Sequence, residues 1–293
     1  TMYLFFFFIF FFILHNIYIY LYNRLFYYQS ICRLFLLFYI MDDPYIISIP
    51  NLDTPTFHAG TTIEYFNLMS DSFCGTTISN PEASLHWALT GKTIFTPLRK
   101  KPNKKRKEVF KYMLWSGGLG GISTKSAYGL LDPNGSGKFV AGTVCYAPYT
   151  YPPKNNVYNS VNGKKLLMEH GIRKLPDYFT KDFSVRSNAC NSVQEKGRNF
   201  IMNMYNDDNN TGKMPYYYIQ IFAVSPYVQG KKYGQRLMSY IKALADKKQV
   251  KILLETVGDR NENFYKRNGF ITAFKETIKG KPKDDYIEML VMI

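Results

Sequence analysis

Apolar and polar positions along this chain change period several times, and the changes mark its elements. Residues 1–40 are apolar almost throughout. "TMYLFFFFIFFFILHNIYIYLY" is long enough to cross a bilayer as a helix. The run after it, residues 25–40, carries Arg33 near its middle, where a charge is costly in hydrocarbon. Helical spacing sets in at "TTIEYFNLMSDSFCG": Ile63, Phe66, Met69 and Phe73 share a face, and Gly75 is placed to end the helix. "NPEASLHWALTG" predicts a second helix, with Asn80 as N-cap, Pro81 at the first helical position and Gly91 just past the end. A third turns Val109, Phe110 and Leu114 inward. "SAYGLLDPNGSGKFVAGTVCYAP" predicts a hairpin around the turn residues Asp132, Pro133, Asn134 and Gly135.

Residues 148–183, rich in Pro, Tyr and Asn, show no clean period and read as an insertion over one end of a sheet. "SNACNSVQEKGRNFIMNMY" returns to helical spacing, with Val193, Phe200, Ile201 and Met204 apolar, and "NDDNNTG" is a loop. "YYYIQIFAV" has the unbroken apolar character of a strand buried on both faces. A helix running to about Lys247 follows, then a second buried strand, "KILLET". "NENFYKRNGF" carries a short helix ending at Gly269, and "YIEMLVMI" closes the chain as a strand. From Thr61 onward the pattern is that of one α/β domain without internal repeats.

Composition adds constraints. The chain has 293 residues and a formal net charge of +15, which favours anionic partners or a solvated lysine surface. Its densest basic block, residues 99–107, contains Pro102 and no interleaved aromatics, so it reads as a charged loop and nucleic acid is not the expected partner. The four cysteines, Cys32, Cys74, Cys145 and Cys190, form no CxxC pair and no metal-ligand spacing; they fit a reducing compartment, and no metal is expected. "GSGK" at 135–138 is not a phosphate loop, because Asp132 stands where its first glycine belongs and Phe139 replaces the hydroxyl residue. Residues 1–40 admit two readings. One is a translated leader, with Met41 as the start of the folded protein. The other is a membrane anchor through residues 3–22. The expected organisation is therefore a hydrophobic extension, 1–40, and a catalytic domain, 41–293, that is cytoplasmic or, if the extension is retained, membrane-anchored.

Candidate chemistry concentrates at "FAVSPYVQGKKYGQRLM", residues 222–238. A strand that feeds a helix through a short glycine-bearing loop leaves backbone N–H groups unpartnered at the positive end of the helix dipole, a site for phosphate or pyrophosphate. Gly230 and Gly234 remove side chains where backbone must approach a ligand, and Lys231 and Lys232 add positive charge.

This stretch resembles the acetyl-CoA-binding motif of the GNAT acetyltransferase superfamily, V-x-P-x-x-Q-G-x-G-x-G followed by an aliphatic helix. Val224, Pro226, Gln229, Gly230, Gly234 and Leu237 fall in register, while Lys232 stands where the family usually has glycine. "LETVGDRNENFYKRNGF" resembles the family's later motif at Asn261, Tyr265, Gly269 and Phe270. The similarity covers residues 61–293 and is strongest over 217–270. It implies an α/β GNAT fold: a central mixed, mostly antiparallel sheet with a splayed parallel strand pair, here 217–224 and 251–256, and helices on both faces.

It also implies acetyl-CoA as cosubstrate. Its pantetheine arm would lie along Phe222, Ala223 and Val224, its pyrophosphate on Gln229, Gly230, Lys231, Lys232, Tyr233, Gly234 and Gln235, with Asn261 and Tyr265 completing the site. The implied reaction is direct attack of an amine on the thioester. The Val224 N–H would polarise the carbonyl, Tyr265 would protonate the leaving thiolate, and Glu255, at the end of the second strand, is the candidate base. Glu255 could equally orient substrate or pair with a lysine, and Gln220 puts a neutral amide where related enzymes carry an acid. Three functions follow: an N-acetyltransferase for a primary amine of a small molecule, one for a protein or peptide amine, and a CoA-binding module without turnover.

Overall fold

Runs of β-branched and aromatic residues form the strands, and each helix brings one apolar row to them. The computed structural model describes residues 43–49, 59–75, 82–92, 109–114, 121–122, 124–151, 180–204, 214–282 and 284–293. The hydrophobic extension, the basic block, most of the insertion and the 206–212 loop lie outside the described residues. Strands β1 (Ile46–Ser48), β2 (Ala127–Leu131), β3 (Phe139–Tyr146), β4 (Tyr217–Val224), β5 (Ile252–Val257), β6 (Thr272–Ile278) and β7 (Ile287–Met292) form one sheet in the order β1-β2-β3-β4-β5-β7-β6. β4 and β5 are parallel and every other neighbouring pair is antiparallel. Helices are α1 (Ala59–Cys74), α2 (Ala83–Thr90), α3 (Lys181–Met204), α4 (Tyr233–Lys248) and α5 (Asp259–Arg267). Residues 44–293 make one compact unit.

The two faces of the sheet carry different helices. Tyr65, Phe66 and Met69 of α1 and Ile201 of α3 pack with Tyr146, Tyr218, Leu253 and Val291 on one face. Met238, Ile241 and Ala245 of α4 and Tyr265 of α5 pack with Tyr217, Ile219, Leu254 and Met292 on the other. Along β4 the alternation reverses partway: Ile219 faces α4, yet Ile221 and Ala223 face α1. The cause is a β-bulge. Adjacent residues Val144 and Cys145 of β3 oppose Ile221 and Ile219, which leaves Gln220 as the extra residue. A bulge bends the strand that carries it. β4 pairs with β5 only at Tyr217–Ile252, Tyr218–Leu253 and Ile219–Leu254, up to the bulge, and then the two strands part.

Several sequence expectations change in detail. The N-cap of α2 is Glu82, not Asn80, because its carboxylate reaches Ser84 N–H and Leu85 N–H. Gly91 ends that helix in the left-handed conformation, as expected. α3 starts at Lys181, inside the segment read as insertion, and its inward row is Phe183, Arg186, Cys190, Val193, Gly197 and Ile201. Of the four apolar positions of the expected helix, Val193 and Ile201 are buried, but Phe200 and Met204 are 43% and 51% exposed. Gly197 allows this rotation, since a Cβ there would stand 2.3 Å from a Val291 methyl. β6 is absent from the sequence reading because it is a sheet edge with a largely solvated surface. Charged residues on such a strand blunt its pairing with other chains and hide its period.

α2, α3 and the β6–β7 connection are tied by a buried ion pair. Arg186 donates through Nε and Nη2 to both Asp284 oxygens at 2.8 and 2.9 Å, with side chains only 6% and 3% exposed. Arg186 Nη1 also reaches the Ala88 carbonyl of α2 at 3.4 Å. Among the described residues no helix is long and apolar enough to cross a membrane.

Candidate active site

The parting of β4 from β5 opens a cleft of ≈ 1420 Å³ that reaches both faces of the sheet. Its β4 wall is a free strand edge. Ser225 N–H donates across to the Val140 carbonyl of β3. By the alternation of an antiparallel ladder, the N–H groups of Phe222 and Val224 therefore point away from β3, toward the gap. Ser72 of α1 donates its hydroxyl to the Val224 carbonyl at 3.0 Å. Ala223 turns its side chain into the opposite core and does not line the cleft.

At the mouth, a short 3₁₀ turn (Pro226–Val228) leads through Gln229 and Gly230 to α4. Gly230 has φ 87 and open space where a Cβ would stand. Gly234 instead permits close packing, because its Cβ would meet Val224 at 3.0 Å and Phe222 at 3.6 Å. Lys232 is the N-cap of α4 at φ 63, in the left-handed region that favours glycine, and no side chain caps the helix. The first intrahelical bond runs from Arg236 N–H to the Lys232 carbonyl, so Tyr233, Gly234 and Gln235 present N–H groups without helical partners. Tyr233 is steadied by the β2–β3 turn: Asn134 Nδ2 donates to its hydroxyl at 3.1 Å. Gln229, Gly230, Lys232, Tyr233, Gly234 and Gln235 all line the cleft, while Lys231 is exposed beside it.

The β5 wall carries the remaining expected residues. Tyr265 of α5 lines the cleft from an aromatic cluster, its ring centroid 6.4 Å from Phe222, 5.2 Å from Phe264 and 5.7 Å from Phe270. Burial pushes its phenol well above the usual tyrosine range, and the nearby charge of Glu82 adds to the rise. It is thus held as a protonated donor. Asn261 lines the cleft, with its amide donating to the Val257 carbonyl at 3.2 Å.

The Glu255 side chain is 5% exposed and accepts from Arg198 Nη1 at 2.8 Å and from the Tyr218 hydroxyl at 2.6 Å. Burial raises its pKa while Arg198 opposes the rise. Its partner is thus an arginine of α3, where the sequence suggested a lysine. Beside it the rings of Tyr146, Tyr151 and Tyr218 pack with centroids 4.4 to 6.4 Å apart. The Tyr146 hydroxyl donates to the bulged Gln220 at 3.3 Å.

Two residues escaped the sequence reading. Glu82 lines the cleft from the start of α2, half-buried, and burial raises its carboxyl pKa. Among the described residues it has no cation partner. Three hydrogens point at it, from Ser84 N–H, Ser84 O–H and Leu85 N–H. A carboxylate offers about four acceptor sites, so one stays available. Arg260, on the first turn of α5, lines the mouth and donates to Gln229 Oε1 at 2.7 Å. Helical position signals neither: Glu82 looks like a cap and Arg260 like a surface charge.

Residues 194–272 match the family model for the acetyltransferase (GNAT) domain. A search of curated proteins found no match. Similar solved structures include a polyamine N-acetyltransferase from Drosophila melanogaster, at 13% identity and TM-score 0.44, covering 84% of this chain and 98% of that one. Arylalkylamine N-acetyltransferase 2 from Aedes aegypti is 12% identical with TM-score 0.43, covering 78% of this chain and 94% of its own. A mosquito arylalkylamine N-acetyltransferase-like protein, 5b, is 14% identical with TM-score 0.44, covering 85% and 100% respectively.

Proposed function

The chain carries a GNAT acetyltransferase domain, and from that premise we propose that it transfers an acetyl group from acetyl-CoA to a primary amine of a small molecule by direct attack. The observation that carries this reading is the parting of β4 from β5 directly beneath the uncapped start of α4. An extended pantetheine arm can pair with the free N–H groups of Phe222 and Val224 as an added strand would. The pyrophosphate then meets the N–H groups of Tyr233, Gly234 and Gln235. A compact acceptor is favoured because α1, α2, α3 and residues 286–288 all contribute walls to the cleft.

In this reading the Val224 N–H polarises the thioester carbonyl, and Tyr265 gives its proton to the departing thiolate. The amine must lose a proton before or during attack. Glu82 suits that task better than Glu255: the Arg198 cation stabilises the Glu255 carboxylate and weakens its hold on a proton, whereas Glu82 faces no cation among the described residues. Glu255, fixed by Arg198 and Tyr218, orients the acceptor.

The test is titration of the purified chain with acetyl-CoA, followed by thiol-release assays against small amines, amino acids and peptides. Saturable binding with release on small amines is the expected result. Absence of acetyl-CoA binding would overturn the reading, and turnover restricted to peptides would transfer it to a protein substrate.

A further inference from the structure

We infer that Arg260 is a phosphate-binding residue of the cofactor cleft, parked on Gln229 until the phosphates of the ligand displace it. The inference rests on the reading of the cleft as an acetyl-CoA site. Three observations support it. Arg260 stands on the β5 side of the mouth and Gln229 on the β4 side, so their 2.7 Å hydrogen bond spans the opening through which a phosphorylated tail must lie. Its partner is a neutral amide. No carboxylate pairs with Arg260 among the described residues, and Glu262 on the same helix is taken by Lys266 at 2.7 Å. The guanidinium therefore keeps its full charge and most of its N–H donors at the rim. Finally, the group it faces is the α4 start, with Gly230 open and N–H groups uncapped.

An anion seated on the α4 start would thus be met from one side by backbone dipoles and from the other by Arg260. The guanidinium–amide contact has one charged partner, whereas a guanidinium–phosphate contact has two of opposite sign and can be bidentate. Exchange of the Gln229 amide for a phosphate oxygen therefore adds an ion-pair attraction. The exposure of Arg260 screens the gain and limits its size.

The experiment compares the wild-type chain with Arg260→Ala and Arg260→Lys by calorimetric titration and steady-state kinetics at low and at high salt. Arg260→Ala is expected to raise Kd for acetyl-CoA about tenfold at low salt, with kcat at saturation within about twofold and a weaker salt dependence. Arg260→Lys is expected to recover part of the affinity. Acetyl-pantetheine, which lacks phosphates, should bind wild type and Arg260→Ala equally. Acetyl-dephospho-CoA then identifies the contact: a retained tenfold loss assigns it to the pyrophosphate, a vanished loss to the 3′-phosphate. Equal acetyl-CoA affinity of wild type and Arg260→Ala overturns the inference, as does an equal loss with acetyl-pantetheine. If wild type itself fails to bind acetyl-CoA, it is the reading of the cleft that fails. If wild type binds and Arg260→Ala binds equally well, only this inference does.

Discussion

The side of the cleft where we place the cofactor is mostly one stretch of chain, residues 222–235, whereas the side where we place the acceptor gathers Ser72, Glu82, Tyr151, Asn191, Tyr218 and Glu255 from separate segments. The first is held by local geometry: a strand edge, two glycines and a helix start. The second is held by long-range contacts, of which the buried Arg186–Asp284 pair and the Arg198–Glu255 pair are the most exacting. A contiguous site tolerates remote change because its atoms are set by their own backbone. A distributed site moves when any of its anchors moves.

Substitutions can separate the two sides. Tyr265→Phe should have the largest effect, since a positioned general acid contributes about 10²–10⁴-fold. Turnover should fall by about that factor while acetyl-CoA Kd, read by calorimetry, stays within about twofold. Unchanged turnover removes the phenol from the mechanism.

Glu82→Gln should come next, with kcat/KM for the amine down about 10²-fold and acetyl-CoA binding intact. The amide oxygen can still accept from one of the two N–H groups that Glu82 caps, so part of the α2 cap is kept. Because burial raises the Glu82 pKa, wild-type activity should rise with pH through a limb above the ordinary glutamate range. That limb should disappear in the variant and persist in Glu255→Gln. A limb lost in Glu255→Gln instead would return the base to β5.

Asp284→Ala tests the anchor. Leaving Arg186 buried without its carboxylate should cost about 3 kcal/mol or more, a fall of about 6 °C or more in Tm. The KM for the amine should rise more than the acetyl-CoA Kd. A reversed order would mean that the two sides are not independent. The wild-type pair also has a pH signature. Arg186 lowers the Asp284 pKa to about 2. A depressed folded-state pKa contributes stability that is present above the unfolded value, ordinarily near 4, and lost as pH falls through the folded one. Acid melts should therefore show this contribution lost between about pH 4 and pH 2, and Asp284→Ala should lack it.

Lys232→Gly should have the smallest effect. It relieves a left-handed residue at φ 63 but gives the unfolded chain more freedom, for a net gain of about 0.5 kcal/mol by thermal melting. A large loss of acetyl-CoA affinity would show that the lysine charge, rather than the backbone it caps, holds the anion.

The legible half of the site was legible for a physical reason. Pro226 follows the end of a strand, Gly230 leaves open space at the turn, and a helix start presents N–H groups; each depends on neighbours in the chain. Tyr265 was legible through its local F-Y-x-x-x-G-F setting. Glu82 was not, because its place in the cleft, with no cation partner among the described residues, is not expressed by sequence spacing. The Glu255 reading stopped at its strand position, because its arginine lies on another helix, at Arg198.

By itself the sequence determined the strand–turn–helix at 217–248, its glycine-bearing turn and the α/β class, because period and turn chemistry act over a few residues. Only the tertiary structure decided where β4 leaves β5, since a bulge at Gln220 exists only relative to the opposing Val144–Cys145 of β3. It likewise decided that the Glu255 carboxylate pairs with an arginine while Glu82 lines the cleft without a cation partner among the described residues, for electrostatic environment is set by distance in space rather than along the chain.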